Sequence, residues 1–303
     1  MGSTANAATL WVNCGAKSGL TSINAALKAL QSLESRGPAT INVSGACNEN
    51  VVIQSMDRVT LNSLLGASIN DTSGGNLTTV TIDDSRDVTV SGFTINGGAD
   101  GIDCLNASLC RLTGNTVENS PSDGIGVWAF SQADITGGTL LGNGFAGLQV
   151  ANGARARAIG VTVQGNWRGV IVNNSGFLQF LSAAIHTNPD VGVWVAQGAT
   201  FLCGGCSVHD NAGDGVHAEQ GSTVRFQTAF AVPTATPYRV TQNGGAGVSL
   251  ANLANVSFGG GSSDNIVATN QGPLDVACNP SFAAAGGLAN AGVAANRTNC
   301  AGP

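Results

Sequence analysis

Positive charge is scarce in this sequence. Lys occurs twice, at Lys17 and Lys28, and the 12 Lys and Arg residues face 18 Asp and Glu, for a formal net charge of −6. Nucleic-acid binding rests on basic faces that neutralise phosphates, so this balance argues against a nucleic-acid partner. Charged residues of both signs make up 10% of the 303 residues, where about 25% is ordinary. Tyr occurs once, at Tyr238, and no apolar run approaches the roughly 18 residues of a membrane span. A hydrophobic share of 43% is too high for a disordered chain. The 43 Gly follow no every-third pattern, which excludes collagen.

Cysteine is well represented, with eight residues that fall in local pairs: Cys14 and Cys47, Cys104 and Cys110, Cys203 and Cys206, Cys278 and Cys300. An even count suits disulfides in an oxidising compartment, although eight Cys allow about 105 connectivities. Cys203-Gly-Gly-Cys206 also has the form of half a zinc site or a redox pair, but no second such pair accompanies it. Met1-Gly2-Ser3 reads as an appended start. Ala5-Asn6-Ala7 has the small-x-small form of a signal-peptidase site, with the signal already removed. The expected location is secreted or periplasmic.

The dominant feature is a repeat. A Gly followed by an aliphatic anchor recurs at Ile102, Ile125, Leu148, Val170, Val193, Val216 and Val248, with steps of 23, 23, 22, 23, 23 and 32 residues. The longest step holds an insertion, residues 231–239, with Pro233, Pro237 and Tyr238. An Asn stands five residues before the anchor at Asn143, Asn188, Asn211 and Asn243, and Asn166 stands one residue closer. Between anchors run short alternating apolar segments such as Ile159-Val161-Val163 and Val170-Val172, separated by Gly and Asn. That is strand-turn-strand without helix. A period near 23 fits one circuit of a parallel β-helix; it overlaps the leucine-rich repeat range, but the Leu pattern of that repeat is missing. The Asn column predicts a ladder of side chains that tolerate left-handed turns and pair with the next circuit.

The two ends are also distinctive. Leu20 to Leu33 reads as one helix, with Ile23, Leu27, Leu30 and Leu33 on one face and Ser18 or Thr21 as caps. Such a helix would cover the open apolar end of a solenoid. The expected organisation is a leader remnant at 1–8, a strand and capping helix at 9–39, an all-β single-stranded right-handed parallel β-helix at 40–272, and a stapled cover or tail at 273–303.

The anchored units resemble the parallel β-helix repeats of pectate lyases, polygalacturonases, mannuronan epimerases and many unassigned secreted bacterial proteins. Leu10-Trp11-Val12-Asn13-Cys14 through Gly45-Ala46-Cys47-Asn48-Glu49-Asn50-Val51 is similar to the start of the unassigned group. The resemblance covers about residues 40–272 and implies the architecture without a reaction. Thr81-Ile82-Asp83-Asp84 has the paired Asp of polygalacturonases, but their Gly-His-Gly and Arg-Ile-Lys segments are missing. The Asp-Pro-His-Asp motif of mannuronan epimerases and a pectate-lyase calcium-and-Arg pattern are missing too.

Strand alternation sorts the outward positions into columns spaced about 4.8 Å per circuit. One cluster joins Asp100, Asp103 and Asp123 with Trp128, and Arg168 two circuits on. Neighbouring carboxylates can act as acid and nucleophile at a glycosidic bond, or hold Ca²⁺. Trp128 offers a flat face to a sugar, and Arg168 a fork for an acidic sugar's carboxylate. The plainer reading is that Asp-Gly is good turn chemistry. A second cluster is Trp194, Asp214, His217 and Glu219, with Asp190, His209 and Arg225 nearby. There Asp214 could orient His217 as a base and Glu219 could serve as acid; the plainer reading is a solvated strand face. The expected partner is a polysaccharide or oligosaccharide, cleaved by a hydrolase or lyase, or bound by a non-catalytic surface module. No cofactor is demanded, although Ca²⁺ fits the carboxylates.

Overall fold

The computed structural model describes residues 7–32, 38–230, 235–259, 265–279 and 284–300. Residues 1–6 of the expected leader at 1–8, Leu33 of the helix, and Pro233 of the insertion lie outside them.

The chain winds as a right-handed parallel β-helix of about nine turns. Three sheets line it. The anchor sheet has ten strands, from Val51–Gln54 to Val276–Cys278. The long sheet has twelve, from Ala8–Asn13 to Ala284–Gly286, and the third sheet ten, from Ala46–Asn48 to Ile266–Ala268. The anchors stack in register: Ile102 on Ile125, Leu148, Val170, Val193, Val216 and Val248 in turn. All are buried in one continuous core. The β-branched shapes of most of them suit a pleated interior.

The Gly before each anchor and the Asn column are one device. Asn143, Asn166, Asn188, Asn211, Asn243 and Asn270 form a buried ladder, each side-chain Nδ2 donating to the next Asn Oδ1 at 2.8 to 3.4 Å. Each Oδ1 from Asn166 onward also accepts the backbone N–H of the preceding Asn. Buried turn amides are thereby satisfied without water. A Cβ on Gly192 would lie 2.7 Å from the Asn211 Nδ2 and 2.6 Å from the Gly215 carbonyl oxygen, so only Gly fits beside the ladder.

The ends differ in detail from expectation. The helix runs Ile23–Ser32, and Ile23, Ala26, Leu27 and Leu30 bury one face against the first circuits. Its cap is Ser22, whose Oγ accepts the Ala25 N–H, rather than Ser18 or Thr21. Glu49 accepts from the N–H groups of Ile23 and Asn24 and from the Ser22 hydroxyl. A carboxylate there satisfies free amides and complements the helix dipole. At the other end the stacking continues past residue 272. Val276–Cys278 and Ala284–Gly286 pair with the strands before them, because Val276 and Ala285 still supply inward apolar positions. The insertion contributes an antiparallel hairpin of Ala229–Phe230 and Ala235–Thr236. Next to it Tyr238 is buried against Phe226 and Phe258.

All eight Cys are joined in the four local pairs. Cys203 and Cys206 are fully buried and bridged, which removes the zinc and redox readings. Four disulfides fit an extracellular or periplasmic compartment. No helix among the described residues is long and apolar enough to cross a membrane.

Candidate active site on the anchor sheet

The column one residue after each anchor runs Thr81, Asp103, Gly126, Gln149, Ile171, Trp194, His217 and Ser249 along the outer face of the anchor sheet. Alternation predicts a solvated row. Instead Asp103 is 6% exposed, Gln149 7% and Ile171 fully buried. Long side chains lean across this face from its rims, and the two clusters are built from them.

Asp100, Asp103, Asp123 and Trp128 stand together on adjacent circuits, and Arg168 stands apart from them. Asp103 Oδ2 accepts from the Thr78 hydroxyl at 2.7 Å, and its Oδ1 accepts from the Trp128 indole N–H at 2.9 Å. Trp128 stands on the next circuit and folds back over Gly126, the strand neighbour of Asp103. A Cβ at Gly126 would lie 2.5 Å from Asp103 Oδ1 and closer still to the indole nitrogen. Asp100 Oδ1 accepts the Asp123 N–H at 2.8 Å, and Asp123 Oδ1 accepts the Ala146 N–H at 3.1 Å. One oxygen of each of these Asp residues therefore ties a turn to the next circuit, which is the turn chemistry anticipated for Asp-Gly. Asp100 also stands within hydrogen-bond reach of the Asp103 carboxyl, so the acids meet as a group.

Electrostatics divides the carboxyls. Asp123 is 2% exposed, and burial, reinforced by the charges of Asp100 and Asp103, raises its pKa to about 8. Burial also raises Asp103, with Asp100 beside it adding a like charge, but donors Thr78 and Trp128 hold it to about 6. Two donors to the charged form oppose desolvation at Asp103, whereas Asp123 has a single backbone amide.

The second cluster is assembled around Arg168. Its Nε donates to Asp190 Oδ2 at 2.8 Å, and its guanidinium lies 4.4 Å from the Trp167 ring centre and 4.6 Å from that of Trp194. Trp194 donates from its indole to Glu219 at 3.1 Å. His217 Nδ1 is 3.5 Å from Asp214 Oδ2, while Asp214 Oδ1 accepts the Ala246 N–H. Arg168 thus belongs with Trp194 and Asp190 and not with the Asp100–Asp123 group. The side chain leans toward the following circuit, where the Trp194 face and the Asp190 carboxylate receive it, with the indole of the adjacent Trp167 on its other side. The two Nη atoms have no protein partner among the described residues. His209 and Arg225 do not join: His209 stacks on His186 on the third sheet, and Arg225 lies on the long sheet.

The clusters lie four circuits apart, Asp103 to Trp194, or about 19 Å by strand spacing. Phe145 and Trp167, with ring centres 5.4 Å apart, occupy the rim between them. Trp167 is 42% exposed, an unusual position for an indole. Sequence columns missed Thr78, Phe145 and Trp167. A signal existed for Thr78, since the circuit from Val51 to Val80 is longer than its neighbours and its extra residues form the rim. For Trp167 the signal was the adjacent Trp-Arg pair in the shortened Asn166 turn.

The carboxyls do not assemble a metal cage. Among the described residues, the single His, Cys, Asp or Glu group tight enough for one ion is Cys14, Cys47 and Glu49. There the thiols form a disulfide and the carboxylate caps the helix. The first cluster therefore fits a proton-sharing set of acids better than a Ca²⁺ site. The hollows of about 450, 430, 250 and 150 Å³ are lined by residues outside both clusters, and the last sits on the long sheet.

A wound stack of three parallel sheets with an internal Asn ladder defines a class of protein, the right-handed β-helices. The family described as "Right handed beta helix region" matches residues 78–231, and the chain belongs to it. Among solved structures it is similar to the mannuronan C-5 epimerase AlgE4 A-module of Azotobacter vinelandii, at 12% identity and a TM-score of 0.57, over 90% of this chain and 94% of that one. It is also similar to ORF18 of Geobacillus virus E2, at 14% identity and a TM-score of 0.58, over 91% of this chain and 61% of that one. At these identities the likeness is one of fold. No curated protein matches the sequence.

Proposed function

We propose that the outer face of the anchor sheet cleaves a glycosidic bond in a polysaccharide by carboxyl acid–base chemistry. The observation that carries this reading is the split between two neighbouring carboxyls. Between pH of about 6 and about 8, Asp103 is ionised while Asp123 keeps its proton. Paired carboxyls pushed apart in this way are what hydrolysis requires, one donating to the leaving oxygen and one acting as base or nucleophile. Asp123 is the acid and Asp103 the carboxylate, fixed by Thr78 and Trp128. Asp100, the least buried of the three, raises both neighbours. Asp103 and Asp123 are nearly closed to solvent, so the bond reaches them when Trp128 or the rim at 71–78 moves aside. The Phe145, Trp167 and Trp194 rings offer apolar faces to sugar units further along. The epimerase similar in fold acts on mannuronan, which supports a polysaccharide as the partner.

A second reading is a glycan-binding module without turnover. It is favoured by the oxygens of Asp100, Asp123 and Asp214 that tie turns to the next circuit. A screen for new reducing ends and for unsaturated products over pectin, alginate, xylan and glycosaminoglycan separates the readings. Reducing ends without unsaturation, lost in Asp123→Asn, support the hydrolase. Unsaturated products lost in His217→Ala point to a lyase, and binding without products to the module.

A further inference from the structure

Charge is segregated between the three sheets. The strands of the long sheet carry four Arg, namely Arg111, Arg155, Arg157 and Arg225, and one acid, Asp134. The strands of the other two sheets together carry Arg168 and Arg239 against Asp83, Asp103 and Glu118. One face thus holds four of the chain's 12 cations although the whole chain has a net charge of −6.

These Arg side chains point outward in register. Leu109, Gln132, Arg155 and Phe177 form one outer row, and Arg111, Asp134, Arg157 and Gln179 the next. The rows border two adjoining hollows that share Asp134 and Arg157, of about 150 and about 250 Å³. Arg111 is paired with Asp87. Neither Arg155 nor Arg157 has a carboxylate within ion-pair distance among the described residues. Arg155 instead leans toward the Phe177 ring, 5.9 Å from its centre.

We propose that this face is a second binding site, for a carboxylated polysaccharide, separate from the anchor-sheet site. Two Arg on one strand, their Cα atoms about 7 Å apart by strand rise, are placed to hold successive carboxylates of an extended acidic chain. The Phe177 ring supplies an apolar face for a sugar ring, and Gln132 and Gln179 supply amides for hydroxyls. The site does not depend on the chemistry at Asp123. It would hold the protein on an anionic polymer while the other face is free.

The test is affinity electrophoresis of the intact protein in polygalacturonate, in carboxyl-reduced polygalacturonate, and with duplex DNA. The variants are the double substitution Arg155→Gln/Arg157→Gln and, on the third sheet, the exposed Arg239→Gln. Polygalacturonate should retard the wild type, less so as salt rises, and the reduced polymer should not. The double variant should bind at least about tenfold more weakly, with Arg239→Gln unchanged. Both Arg are exposed, so the melting temperature of the double variant should match the wild type. Wild-type affinity in the double variant overturns the proposal. So does equal binding of the reduced polymer, equal binding of DNA, or an equal loss in Arg239→Gln.

Discussion

Replacing Asp123 by Asn should change how stability depends on pH. The Asp123 carboxyl moves from an ordinary 3.8 to about 8 on folding. Its folded-state pKa is raised, so the native state favours the protonated form. The stabilisation is fully present below about pH 4 and is lost as pH rises toward about 8. Every tenfold change in proton affinity on folding is worth about 1.4 kcal/mol, which puts the loss at up to about 6 kcal/mol. The introduced amide would keep an oxygen for the Ala146 N–H but would carry no titrating proton. In thermal melts the two proteins should behave alike at pH 4. By pH 9 the variant should melt higher, by an amount on the order of 10 °C at the upper end. Asp103, raised to about 6, remains in both and gives the variant a shallower decline of the same sign. Melting curves that run parallel from pH 4 to 9 would refute the claim that Asp123 is buried beside two like charges.

Three further outcomes follow from the same geometry. Gly126→Ala should expel the Trp128 indole from Asp103, losing a bond to a charged acceptor worth about 1.5–3 kcal/mol; tryptophan fluorescence should shift to longer wavelength. Asn188→Ala removes a ladder member and leaves the Asn166 N–H without its acceptor, a loss of about 2–5 kcal/mol readable in urea unfolding. Glu49→Ala frees the amides of Ile23 and Asn24, and should destabilise by about 1–2 kcal/mol and loosen the helix first in hydrogen exchange.

The architecture was legible because it is periodic. An interior that accepts one aliphatic residue per circuit, one Gly beside it and one Asn in the turn writes those residues at a fixed spacing, from Ile102 to Val248. The site was legible in part. The columns gave the height of each outward residue and so brought Asp100, Asp103 and Asp123 together. They do not give the direction in which a long side chain leans. Trp128 crosses Gly126 to the previous circuit, and Arg168 turns to Trp194 on the following one; each choice depends on the space and charge of a neighbour about 5 Å away. Residues off the regular circuit escape the columns altogether. Thr78 stands in a lengthened turn, and His209 and Arg225 occupy other sheets despite standing close in sequence to His217.

The most direct test is release of reducing ends from soluble polysaccharide by the wild type and by Asp123→Asn, followed from pH 5 to 9. The wild type should give a bell-shaped profile with limbs near about 6 and about 8, and the variant should lose release while still binding the polymer. Equal release by the two proteins, or a rate that ignores pH across that span, would contradict acid–base cleavage by this carboxyl pair.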